Sequence, residues 1–156
     1  MLSVKKLTVP IFLAASTFSF NTVADDFSDT YRAFQAAFKE QNVPASLELG
    51  KKAWQLGEQK YGKNSDAAAK LHFSYANVLA IAGKDSQAVE HFETVAEEYR
   101  TVFGDESYTT VVAYVDIIYS LAKLDYRTEG RSELSAKLAR FLVLNIDDID
   151  YKNSSE

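Results

Sequence analysis

The stretch that decides the fold is YGKNS at residues 61–65, because FGDES follows at residues 103–107 with an aromatic, a glycine and a serine in the same places. The interval of 42 residues is the length of one helical hairpin. Between the two signals, residues 67–82 place Leu71, Tyr75, Val78, Leu79 and Ala82 at the three-and-four spacing of a helix with one buried stripe. Gly83, Lys84 and Asp85 interrupt that pattern as a helix cap and tight turn would. A second periodic run begins near Ser86, with Val89, Phe92, Val95, Ala96, Tyr99 and Phe103 inside and Glu90, Glu93, Glu97 and Arg100 outside, and it stops at Gly104.

Sliding the unit back by 42 puts residues 27–41 and 44–61 in the two helical roles. Ser46 then falls opposite Ala88, Ala53 opposite Val95, and Tyr61 and Gly62 opposite Phe103 and Gly104. Sliding it forward gives residues 111–124 and 131–146, with Leu79 and Ala80 recurring as Leu121 and Ala122, and Tyr99 as Phe141. The last unit departs from the pattern, having Asp125 for Gly83 and Ile146 for Gly104, so its second helix is expected to be displaced by a residue or more. TTVVAYVDIIY at residues 109–119, taken alone, has the composition of a buried strand. The repeat register assigns it to a helix instead, one apolar on nearly every side and therefore expected to be covered on every side. The fold class is all-α: a right-handed stack of about three antiparallel helix hairpins.

Composition agrees with one globular domain, since 47% of the 156 residues are apolar and 25% charged, with only two prolines and six glycines to make turns. Residues 1–24 follow the plan of a secretory signal peptide: Lys5 and Lys6, an apolar core over residues 7–20, and small residues before a cleavage point after Ala24. That core is shorter than the roughly 20 residues needed to span a bilayer. The expected organisation is a signal peptide at 1–24, a helical repeat domain at 25–146 and an acidic tail at 147–156. Without Lys5 and Lys6, fifteen basic residues face 22 acidic ones, a net charge of minus seven that argues against nucleic acid and anionic lipid as partners. The chain has no cysteine, hence no disulfide and no lipidated N-terminal cysteine, and the expected location is the periplasm.

The middle unit resembles the tetratricopeptide repeat family, and more closely the 42-residue form found in kinesin light chains. The resemblance rests on Ala76, Leu79, Gly83, Ala88, Phe92 and the run Tyr99, Phe103, Gly104, and it extends over residues 27–146. His72 stands where that family has an aromatic, and Gly50 stands where the middle unit has Phe92. The resemblance implies that the first helices of successive units line a concave groove that holds a peptide or helix of a protein partner. The groove residues it implies are Tyr31, Gln35, Phe38 and Lys39 from the first unit, Lys70, Phe73, Asn77 and Ile81 from the second, and Val115, Tyr119 and Lys123 from the third. A clamp of paired lysines and asparagines on a terminal carboxylate, known in the family, is not expected, because Phe73 and Tyr119 occupy two of its positions.

Catalytic, metal and cofactor sites are not expected. Two histidines and no cysteine make a poor metal set, no glycine-rich phosphate loop or serine elbow is present, and Asp147, Asp148 and Asp150 lack the glycine and distal glutamate of a calcium loop. His91 is expected on the solvated outer stripe beside Glu90 and Glu93, and His72 in a packed position facing the next hairpin. The expectation for function is a non-enzymatic, periplasmic protein-binding scaffold. The alternatives are an accessory subunit of an envelope transport or secretion complex that works by self-association, and an enzyme without a recognisable motif.

Overall fold

The computed structural model describes residues 20–145, with side-chain surroundings from Asp26 onward, and consists of six helices. They are α1 (Phe20–Lys39), α2 (Val43–Tyr61), α3 (Asp66–Ile81), α4 (Asp85–Phe103), α5 (Tyr108–Ala122) and α6 (Arg131–Asn145). Each helix packs on the next in chain order, and α4 also touches α6, so the chain is a stack of three antiparallel hairpins. The strand-like stretch 109–119 lies within α5, as the repeat register requires. Most of the expected signal peptide and the acidic tail lie outside the described residues.

The repeated five-residue signal is one helix end joined to the next helix start. Gly62 and Gly104 take φ of +91° and +86°, a region that costs an L side chain roughly 1 kcal/mol or more, and their N–H groups close the preceding helices on Glu58 and Arg100. Three residues on, Ser65 caps α3: its Oγ accepts from the Ala68 N–H and donates to the Gly62 carbonyl. Ser107 caps α5 by accepting from the Thr109 N–H. The aromatic before the glycine packs back on its own hairpin, Phe103 lying 5.8 Å from Tyr99 and Tyr61 5.4 Å from Phe27, ring to ring.

The turn inside each hairpin is built three ways. At Gly83 (φ +69°) the Gly83 N–H bonds to the Ala80 carbonyl and the Lys84 N–H to that of Leu79, the paired bonds of a Schellman ending. One repeat earlier Gln41 makes the same ending at φ +57°, with bonds from Gln41 to Phe38 and from Asn42 to Ala37. In the last hairpin the carbonyls of Leu121 and Ala122 are satisfied by the Arg131 guanidinium at 2.7 and 3.4 Å, and the Asp125 N–H bonds to the Asp85 carboxylate. α6 begins at Arg131, where the forward slide of the repeat places it. Phe141, on that helix, meets Tyr114 edge-on at 5.0 Å.

The main core runs through the second and third hairpins, with Leu79, Phe92, Val95, Ile117, Leu121 and Leu138 almost wholly buried. Each such side chain stabilises the fold by about 1.5–3 kcal/mol. A smaller cluster of Phe27, Ala53 and Leu71 joins α1, α2 and α3. The absence of a ring at Gly50 is explained there: a Cβ on Gly50 would lie 3.0 Å from Cε2 of Phe34, so α1 supplies the ring that Phe92 supplies in the next unit. Gly57 lets Leu71 approach the α2 backbone directly.

Candidate functional site

The same face of each first helix is presented on one side of the stack. Successive turns of α1, α3 and α5 carry Tyr31, Gln35 and Lys39, then Phe73, Asn77 and Ile81, then Val115, Tyr119 and Lys123. Between α1 and α3, and reaching the end of α5, lies a cleft of about 500 Å³ lined by Phe34, Gln35, Phe38, Phe73, Asn77, Ile81 and Lys123, with Ser74 at its edge. A second cleft of about 560 Å³ shares Phe38 and Ile81 and extends to Lys39, Gln41, Val43, Ser46 and Val78. Phe38 and Ile81 line both clefts and are 49% and 58% exposed among the described residues. Among the described residues, the charged ones lining the two clefts are Lys39 and Lys123, in a chain whose overall charge is negative.

The expected groove residues are distributed unevenly. Gln35, Phe73, Asn77 and Lys123 come together in the first cleft. Phe73 is half-buried and tilted against Phe92 at 5.9 Å, so it serves core and cleft at once. Asn77 is not free to meet a ligand through its carbonyl: Oδ1 accepts from the Ser120 hydroxyl at 2.9 Å and Nδ2 donates to the Phe73 carbonyl, which ties α3 to α5. Tyr119 lies outside the cleft wall and is exposed, with the Lys123 ammonium 4.0 Å from its ring centroid. Tyr31 stacks on Phe27 within α1 and does not reach the cleft wall. Lys70 sits at the opposite end of α3, ion-paired to Asp66 in a separate polar cleft bounded by Arg100, Asp105, Glu106 and Ser107.

α5 is not covered on every side, contrary to the expectation from its composition. Val112, Val115 and Tyr119 form an exposed stripe, because among the described residues no helix lies beyond that face.

Sequence reasoning missed a polar cluster where α2, α3 and α4 meet. His72, buried on α3, places Nδ1 2.9 Å from both carboxylate oxygens of Glu98, and Nε2 2.7 Å from Nδ1 of His91. Trp54 of α2 stacks on His72 at 3.9 Å, and His91 stands edge-on to both Trp54 and Tyr75. His91 is therefore not on the solvated stripe with Glu90 and Glu93; it turns inward to its partner on α3. Burial holds its pKa below the ordinary histidine value, with His72 and then Lys51 acting the same way and Glu90 and Glu98 opposing. The signal available in the sequence was the i, i+7 placement of His91 and Glu98 on the helix that follows His72.

Compared with protein-family models, curated proteins and solved structures, the chain matches none.

Proposed function

We propose that the chain is a non-catalytic, exported scaffold of tetratricopeptide-like repeats that holds an apolar segment of a protein partner on the first-helix face. The observation that carries this reading is the pair of adjoining clefts about the exposed Phe38 and Ile81, open between α1 and α3. Grooves lined by apolar groups with a few placed polar ones are the common form of peptide and helix sites. Lys39 and Lys123 favour a ligand that bears carboxylates over a basic one. The exposed Val112, Val115 and Tyr119 extend the surface beyond the cleft. Export is supported by the pattern of residues 1–24, and among the described residues no helix is long and apolar enough to cross a membrane.

Affinity capture from periplasm tests this reading, using a mature chain whose intact mass is expected to begin at Asp25. Phe38→Ser combined with Ile81→Ser should leave the melting temperature nearly unchanged, since both side chains are exposed, and weaken capture at least about tenfold, or 1.4 kcal/mol. Asn77 is a poor choice for this test because its loss would also break the bond to Ser120. Capture that survives this double variant overturns the groove reading. A chain that sediments as a dimer, and does so no longer after Val115→Ser, places the use of this face in self-association instead.

A further inference from the structure

The groups at the His72 cluster allow its protons to be counted. The Glu98 carboxylate only accepts, so Nδ1 of His72 carries a hydrogen and donates it. The 2.7 Å gap between Nε2 of His72 and Nδ1 of His91 holds one hydrogen. Two resting states satisfy this. Either His72 is neutral and accepts from Nδ1–H of His91, or His72 is an imidazolium paired with Glu98 and donates Nε2–H to a neutral His91. In the first state a proton added at Nε2 of His91 still leaves one hydrogen in the gap. When both rings are imidazolium, each points an N–H at the other and the contact cannot be kept.

Among the described residues, Glu98 is the one carboxylate bonded to either ring. Glu98 is already bonded to the far side of His72, and Trp54 closes one face of that ring. The charged and titratable groups that act on His91 are Lys51 from α2, His72 and Tyr75 from α3, and Glu90 and Glu98 from α4. Lys51 and Glu90 are both exposed to water, which screens the repulsion of the one and the attraction of the other.

We propose that His72, His91 and Glu98 form an acid-sensitive lock, in which one shared hydrogen holds α3 to α4 at neutral pH and protonation of both rings drives them apart and loosens the middle hairpin. The lock stands independently of the groove. Where the groove reading holds, the consequence is regulation of that site, since α3 carries His72 on one side and Phe73 and Asn77 on the cleft side. A ligand seated at neutral pH would then be released in mild acid.

Amide hydrogen exchange on the whole chain without ligand, at pH 7.5 and 5.0 and corrected for intrinsic rates, tests the lock. Opening of α3 and α4 should become at least about tenfold more frequent at the lower pH, while α5 and α6 change less. His91→Asn keeps a donor near the position of Nδ1 that cannot be protonated, and should remove the pH response of α3. Should that variant fail to fold, imidazole nitrogen resonances of the unaltered chain decide. Coupled titration of the two rings, together with faster exchange, supports the lock. Independent titration, an unchanged α3, or the same response in His91→Asn would overturn it. Failure of ligand capture at both pH values, with the exchange response intact, sinks the groove and leaves the lock standing.

Discussion

The middle hairpin and the two that flank it share a backbone plan and differ in what fills it. In the first hairpin the bulk comes from α1, as Phe34 against Gly50; one repeat later the sizes are exchanged, with Ala76 on α3 and Phe92 on α4, both fully buried. At the junctions, α3 meets α4 through a histidine pair and a glutamate, whereas α5 meets α6 through Tyr114 and Phe141 edge to edge. A repeat fold therefore conserves volume and turn geometry from unit to unit, and leaves the chemistry of each contact free to vary.

The largest expected effect tests the exchange of sizes. Phe34→Ala and Phe92→Ala should each cost about 3–5 kcal/mol by thermal or denaturant unfolding, since each ring fills the space between its two helices. Phe34→Ala with Gly50→Phe rebuilds the first hairpin on the plan of the second and should recover about half of the single loss or more. A double variant no better than Phe34→Ala alone would show that the two positions do not share one space.

Next comes the difference between junctions, read at opposite ends of the pH scale. The folded pKa of His91 is depressed, so the stability it contributes is complete above its unfolded value of about 6.5 and is lost as pH falls below it. Tyr114 and Tyr99 are each pushed up to about 12 by burial first, with neighbouring carboxylates adding to it. Their contribution is complete below an unfolded value of about 10 and is lost as pH rises from there towards 12. Unfolding curves followed by tyrosine absorbance should show loss on both sides. Tyr114→Phe should soften the alkaline loss and leave the acid one unchanged, and equal shifts on both sides would refute the assignment.

The smallest effect compares Gln41 with Gly83. Both sit in the left-handed region at the same point of the repeat, and only glycine does so without strain. Gln41→Gly should stabilise by about 0.5–1 kcal/mol, and Gly83→Ala should cost about the same, although a Cβ there would meet nothing within 4 Å. Thermal unfolding of the two variants would show opposite signs; equal signs would break the equivalence of the two turns.

What the sequence determined by itself is the set of interactions that close within a few residues. The ends of α2, α3 and α4 were legible to within a residue or two because glycine, apolar spacing and the repeat interval act locally. The helical state of residues 109–119 was legible against their composition because the register outweighed it. The start of α6 at Arg131 was legible too, although there the glycine ending is replaced by the Arg131 side chain, which reaches back ten residues to Leu121. Of the residues expected on the first-helix face, Gln35, Phe73, Asn77 and Lys123 line the cleft between α1 and α3, whereas Tyr31, Lys70 and Tyr119 do not. Asn77 is bonded to a residue 43 positions away, Lys70 lies at the other end of its helix from the cleft, and Tyr31 turns to Phe27. His72, His91 and Glu98 converge only once α3 and α4 are packed at a definite rotation, and that rotation follows from how side chains such as Phe92 against Phe73 fill the space between the two helices. Local chemistry sets where each helix begins and ends; which of its side chains meet, and which stay open to a partner, is decided by packing between segments far apart in the chain.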